Sequence, residues 1–214
     1  MTPRPHPEAA AAVLAPSPPR GGEGRGEGAC LLALLLAACS SVPPTRFHTL
    51  MPPLDARATA PAVTSAPWQL QHVNVPAQVD RPQLVLRSAD GSLAVLEQER
   101  WIAPLADELG GALTDTLARQ LGPASTSDAW QIAVDVQRFE SVPGRLARLE
   151  ASWSVRRGGT APLHCLAALE QPAGADAASL AEAHRRAVLG LGAQIGAAVS
   201  ALQAGRTPGC GSAG

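Results

Sequence analysis

Trp68-Gln69-Leu70-Gln71-His72 alternates apolar and polar positions, the period of a half-buried strand, with Trp68, Leu70 and His72 on one face. The phase changes at Val73, which predicts a bulge, and Pro76 stops the strand by removing a ladder donor. Thr45–Leu50 alternates in the same way, with Phe47 and Thr49 together. Residues 51–67 hold Pro52, Pro53, Pro61 and Pro67 without periodicity and read as an exposed loop, not a domain linker. Gln83–Arg87 and Leu93–Glu97 form two short strands around Ser88-Ala89-Asp90-Gly91, whose Asp-Gly pair is a strong hairpin signal. Trp130, Ile132, Val134 and Val136 give the cleanest strand, and Phe139 shifts its phase. Pro143-Gly144 turns the chain into Leu146–Val155, and Arg157-Gly158-Gly159 joins that strand to Leu163–Leu169.

Two stretches carry a helical period instead. Trp101, Leu105, Leu109, Leu113, Leu117 and Leu121 recur every four residues, with Trp101 as the first core residue, Pro104 in the first turn and Gly122-Pro123 as the stop. Leu180, His184, Val188, Leu191, Ile195, Val199 and Leu202 mark a longer helix, with Ser179 and Glu182 spaced as a capping box and Gly205 at its end. The order predicts an α+β domain: a mostly antiparallel sheet of about six to seven strands with two amphipathic helices packed on one face.

Composition narrows the function classes. With 17 basic and 18 acidic residues the net charge is −1, and no basic patch points to nucleic acid. The absence of lysine and tyrosine reflects genome composition. No P-loop, G-x-S-x-G or H-E-x-x-H spacing is present, and no carboxylate pair has an obvious acid/base division, so the chain is expected not to be an enzyme. His48, His72, His164 and His184 stand singly. His164 beside Cys165 falls short of a zinc site's ligands, and no metal is expected.

The apolar run Leu31–Leu36 closes on Ala37-Ala38-Cys39 and resembles a bacterial lipobox. That resemblance implies cleavage before Cys39, a diacylglyceryl group on its thiol and an acylated new amino terminus, the covalent lipid being the only cofactor. The run from Ala29 to Ala38 is about half the ~20 residues a transmembrane helix needs. Residues 1–28 are long, Pro/Gly-rich and carry acids beside arginines, unlike a short basic n-region, which leaves open a start codon placed too far upstream. The chain therefore divides into a leader over 1–38, a lipidated tether over 39–44, a single α+β domain over 45–205 and a flexible tail over 206–214. An oxidising compartment permits a disulfide between Cys165 and Cys210; closing a loop of about 45 residues would stabilise by ~4 kcal/mol. The alternative is a buried strand thiol and an unrelated tail thiol.

Three segments together carry a family resemblance: Val73-Asn74-Val75-Pro76, then Asp80-Arg81-Pro82-Gln83 leading into Leu84–Arg87, then Glu99-Arg100-Trp101-Ile102-Ala103-Pro104-Leu105. With Val134–Phe139, Glu150–Val155 and Ala183–Ala187 they resemble PqiC-like lipoproteins, the auxiliary lipoproteins of ABC-type intermembrane transport systems. The resemblance implies a lipoprotein on the periplasmic face of the outer membrane. It would anchor or dock a periplasmic MCE-domain partner of a permease/ATPase system that moves lipids. Ser40 after the cysteine agrees with outer-membrane sorting. A stand-alone envelope-assembly or lipid-binding lipoprotein is the alternative. Asp80, Arg81, Pro82, Gln83, Arg100, Trp101 and Pro104 are the candidate motif residues, either structural or in contact with a partner. Pro82 fixes its own φ and pushes Arg81 into an extended conformation, so a turn-setting role accounts for the tetrapeptide without a ligand. Arg100 would be solvated or stacked on an aromatic ring. Arg185 and Arg186 lie on the polar side of the last helix, a solvated face or a contact for lipid head groups.

Overall fold

The structure is a computed structural model that describes residues 43–53 and 65–210. Its strands are β1 (Arg46–His48), β2 (Trp68–Asn74), β3 (Gln83–Arg87), β4 (Leu93–Trp101), β5 (Trp130–Val142), β6 (Leu146–Arg156) and β7 (Leu163–Pro172). Helices α1 (Leu105–Leu121) and α2 (Ala177–Gln203) follow β4 and β7. The sheet runs β1-β4-β3-β5-β6-β7, and β2 lies beside β5.

The thirteen residues of β5 hold the sheet together. One edge pairs along its length with β6, antiparallel. The other is shared: β2 runs parallel to Trp130–Asp135, and β3 meets Ser141 near the far end. A bulge between Val136 and Arg138 explains why burial switches phase, with Trp130, Ile132, Val134 and Val136 buried before it and Phe139 and Ser141 after it. In the β3–β4 hairpin, Asp90 Oδ1 accepts from Ser92 N at 2.9 Å, and Gly91 takes a φ of 85° that few other residues tolerate.

One face of the sheet is apolar and covered. Alternate residues of β6, Ala147, Leu149, Ala151, Trp153 and Val155, are buried beneath α2, and α1 packs on α2 and β2. The helices approach closely because Gly192 and Gly196 lack side chains: a Cβ at Gly192 would lie 2.7 Å from Thr116 Cγ2. The opposite face carries ion pairs that cross strands, Arg87–Glu140 at 2.9 Å, Arg138–Glu150 at 3.3 Å and Arg148–Glu170.

Four sequence expectations change. The sheet is mixed rather than mostly antiparallel, since β1–β4, β2–β5 and β3–β5 are parallel. Trp101 ends β4 instead of opening α1, and Pro104 is the N-cap, its carbonyl accepting from Asp107 N and Glu108 N. The cap of α2 is Asp176, whose side chain accepts from Ser179 N at 2.9 Å, so Ser179 sits in the first turn rather than at the cap. The β2 bulge falls between Leu70 and His72, which turns His72 outward and puts Val73 beside Val134.

Candidate functional site

Two backbone hydrogen bonds gather three distant segments at the β1 edge. Trp101 N donates to Pro82 O at 2.7 Å, and Ile102 N donates to His48 O at 2.9 Å. Ahead of Pro82 the chain is folded on itself: Val79 N and Asp80 N both donate to Pro76 O, Arg81 N donates to Val79 O, and Val79 is buried as a plug. Between these segments lies a groove of about 380 Å³ lined by Phe47, Asp80, Arg81, Pro82 and the run Arg100 to Pro104.

The structure therefore brings six of the seven motif residues to one place. Gln83 is the exception; its Nε2 donates to Glu97 Oε2 at 3.2 Å along the hairpin. Trp101 is buried, and its ring meets Phe139 edge-on at 6.0 Å and His184 at 6.4 Å. Phe47 and Ile102 stand open, 59% and 61% exposed. Arg100 Nε donates to Glu97 O at 3.1 Å, and no aromatic ring stacks on it among the described residues. The side chains of Asp80 and Arg81 are exposed and make no hydrogen bond or ion pair among the described residues, so backbone bonds set this turn without them.

Two carboxylates fasten β1 beside the groove: Glu108, which sequence reasoning missed, and Glu99, which stood in a family segment without being singled out. Buried Glu108 accepts from Leu50 N and Thr49 Oγ1, both at 2.7 Å. Glu99 pairs with His48 Nε2 at 2.6 Å and with Arg46 at 3.8 Å. Glu108 had a signal, a charge between Leu105 and Leu109 on the apolar stripe, where an unpartnered carboxylate would be costly.

Behind the groove, the His184 ring stacks on Phe139 with centroids 3.7 Å apart, and its Nε2 lies 2.8 Å from Ser141 Oγ. Full burial pushes its pKa down to about 3, so the ring is neutral. The pair is sealed from solvent, with His184 at 0% and Ser141 at 2% exposure, and serves as a core hydrogen bond. At the far sheet edge, Cys165 of β7 and Cys210 of the tail are disulfide-bonded, with Cα atoms 5.4 Å apart. Arg185 and Arg186 pair with Glu182 on the first turns of α2. No group of three or more His, Cys, Asp or Glu side chains able to hold a metal occurs among the described residues. Cys39, the leader and most of the tether lie outside the described residues.

The groove thus sets exposed apolar side chains beside two guanidinium groups and one carboxylate on a mixed α+β scaffold. The chain belongs to the ABC-type transport auxiliary lipoprotein component family, whose model matches residues 48–196. It is thus an auxiliary part of an ABC-type transport system, a role that implies a transporter partner. A protein from Xanthomonas campestris carrying the family model DUF330 has the same fold, at 20% identity and a TM-score of 0.54, covering 75% of this chain and 98% of that one. A second solved structure, titled only as an uncharacterized protein, matches at 16% identity and a TM-score of 0.58, covering 72% and 97%. A search of curated proteins finds no match. Among the described residues no helix is long and apolar enough to cross a membrane.

Proposed function

We propose that this chain is the non-enzymatic, lipid-anchored subunit of an MCE-type intermembrane lipid transport system. Residues 1–38 direct export and are removed. Cys39 carries the acyl chains, and the domain is held at the periplasmic face of the outer membrane, where it docks or anchors the periplasmic MCE protein of a permease/ATPase system. The observation that carries this reading is the family match, which runs from β1 into α2 and so takes in most of the fold. The position of β1 supports it: Arg46 follows Cys39 by seven residues, too short a tether to let the domain stray far from a bilayer.

The test is a pull-down of the detergent-extracted, acylated protein followed by partner identification. Recovery of an MCE-domain protein supports the reading. Recovery of none, together with lipid binding by the isolated protein, would favour a stand-alone lipid-binding lipoprotein. Mass spectrometry of the mature amino-terminal peptide checks the acyl groups at Cys39.

A further inference from the structure

We infer that the groove at the β1 edge is a seat on the bilayer itself. Phe47 and Ile102 enter the boundary between head groups and acyl chains, and Arg81 and Arg100 bind lipid phosphates. The inference rests on the proposed acyl anchor at Cys39.

Three observations carry it. The first is reach. The described chain begins at Pro43, four residues after Cys39, so the start of the domain stays within about 14 Å of the acylated residue, and Phe47 within about 28 Å. The strand that carries Phe47 is the first element past the anchor, and Glu108 and Glu99 bolt it to the body, so the anchor cannot pull away without bringing this edge along. The second is surface chemistry. Phe47 and Ile102 are among the few large apolar side chains left open, and both line the same groove with Pro82 and Pro104. Apolar side chains ringed by arginines are what an interfacial site presents to an anionic surface. The third is unused charge. Neither Arg81 nor Arg100 pairs with a carboxylate among the described residues, so the Arg81 guanidinium and the Arg100 Nη donors, its Nε being given to Glu97 O, are available for contact with phosphate. Asp80 on the same rim is the one opposing charge in the groove lining.

The experiment uses the full acylated protein with Phe47→Trp, reconstituted into vesicles of phosphatidylethanolamine and phosphatidylglycerol with brominated acyl chains. The four native tryptophans are buried, Trp101 in the groove lining itself, so the unsubstituted protein in the same vesicles supplies the background that is subtracted. The added Trp emission is expected to shift to the blue and to be quenched by bromine. Ile102→Trp should behave the same way, and Arg81→Glu with Arg100→Glu should abolish the quenching while flotation persists. A protein that floats while both introduced tryptophans stay unquenched overturns the seat and leaves the anchor intact. A protein that fails to float removes the anchor, and with it the seat. Loss of a captured partner in detergent on Arg81→Glu/Arg100→Glu, with quenching unchanged, would reassign the groove to protein docking and overturn the inference.

Discussion

His184 shows how completely the core overrides a side chain's ordinary chemistry. Its imidazole is neutral in the fold with a pKa near 3, whereas in the unfolded chain it would titrate near ~6.5. Between those values only the unfolded state holds the extra proton, so stability rises with pH there. The contribution is present in full above about 6.5 and is lost as pH falls toward about 3, several kcal/mol in all. His184→Phe removes the titration, keeps a ring against Phe139 and orphans Ser141 Oγ. It should cost ~1–3 kcal/mol at neutral pH but flatten the acid limb, which denaturant titrations across the acid range would measure. Sequence reasoning placed His184 on the apolar stripe and as a lone histidine. Its stacking partner, 45 positions earlier on β5, could not be read locally.

At the scale of elements, the α1–α2 contact makes a differential prediction. Gly192→Ala should destabilise by ~1–3 kcal/mol despite alanine's better helix propensity, because Thr116 sits where the new methyl would go and is itself held by its Oγ1 donating to Ala112 O at 2.8 Å. Gly196→Ala meets the flexible end of Gln120, which can swing aside, and should be neutral or stabilising by up to ~1 kcal/mol. Thermal unfolding of the two variants side by side checks the contrast. The strands themselves were legible because alternation is a local signal, and so were both helices. What local patterns could not settle were ends and pairings. Trp101 continues the four-residue stripe of α1 backward by one step, so periodicity extends the helix into a residue that the sheet claims. Asp176 and Ser179 are both good caps three positions apart, and the backbone chose the first. The parallel pairings of β1 with β4 and β2 with β5 join segments far apart in sequence, and these pairings made a sheet read as mostly antiparallel into a mixed one. The groove was half visible for the same reason. Its motif residues were singled out, but Phe47 joins them only because β1 pairs with β4.

For the whole molecule, the Cys165–Cys210 bond fastens the tail to β7 across 45 positions. Reduction, or Cys165→Ser with Cys210→Ser, should lower stability by ~4 kcal/mol, seen as an earlier denaturant midpoint that reductant shifts in the parent protein alone. The two fastenings sit at opposite limits of the sheet. β1 forms one edge, and β7 with its disulfide forms the other, five interstrand steps or ~24 Å away. The ends of the domain are therefore not neighbours. A fluorophore or affinity handle attached after Cys210 would ride on the β7 rim, across the sheet from the strand that follows the proposed anchor, where on that proposal it would report the tilt of the domain and leave the β1 edge free.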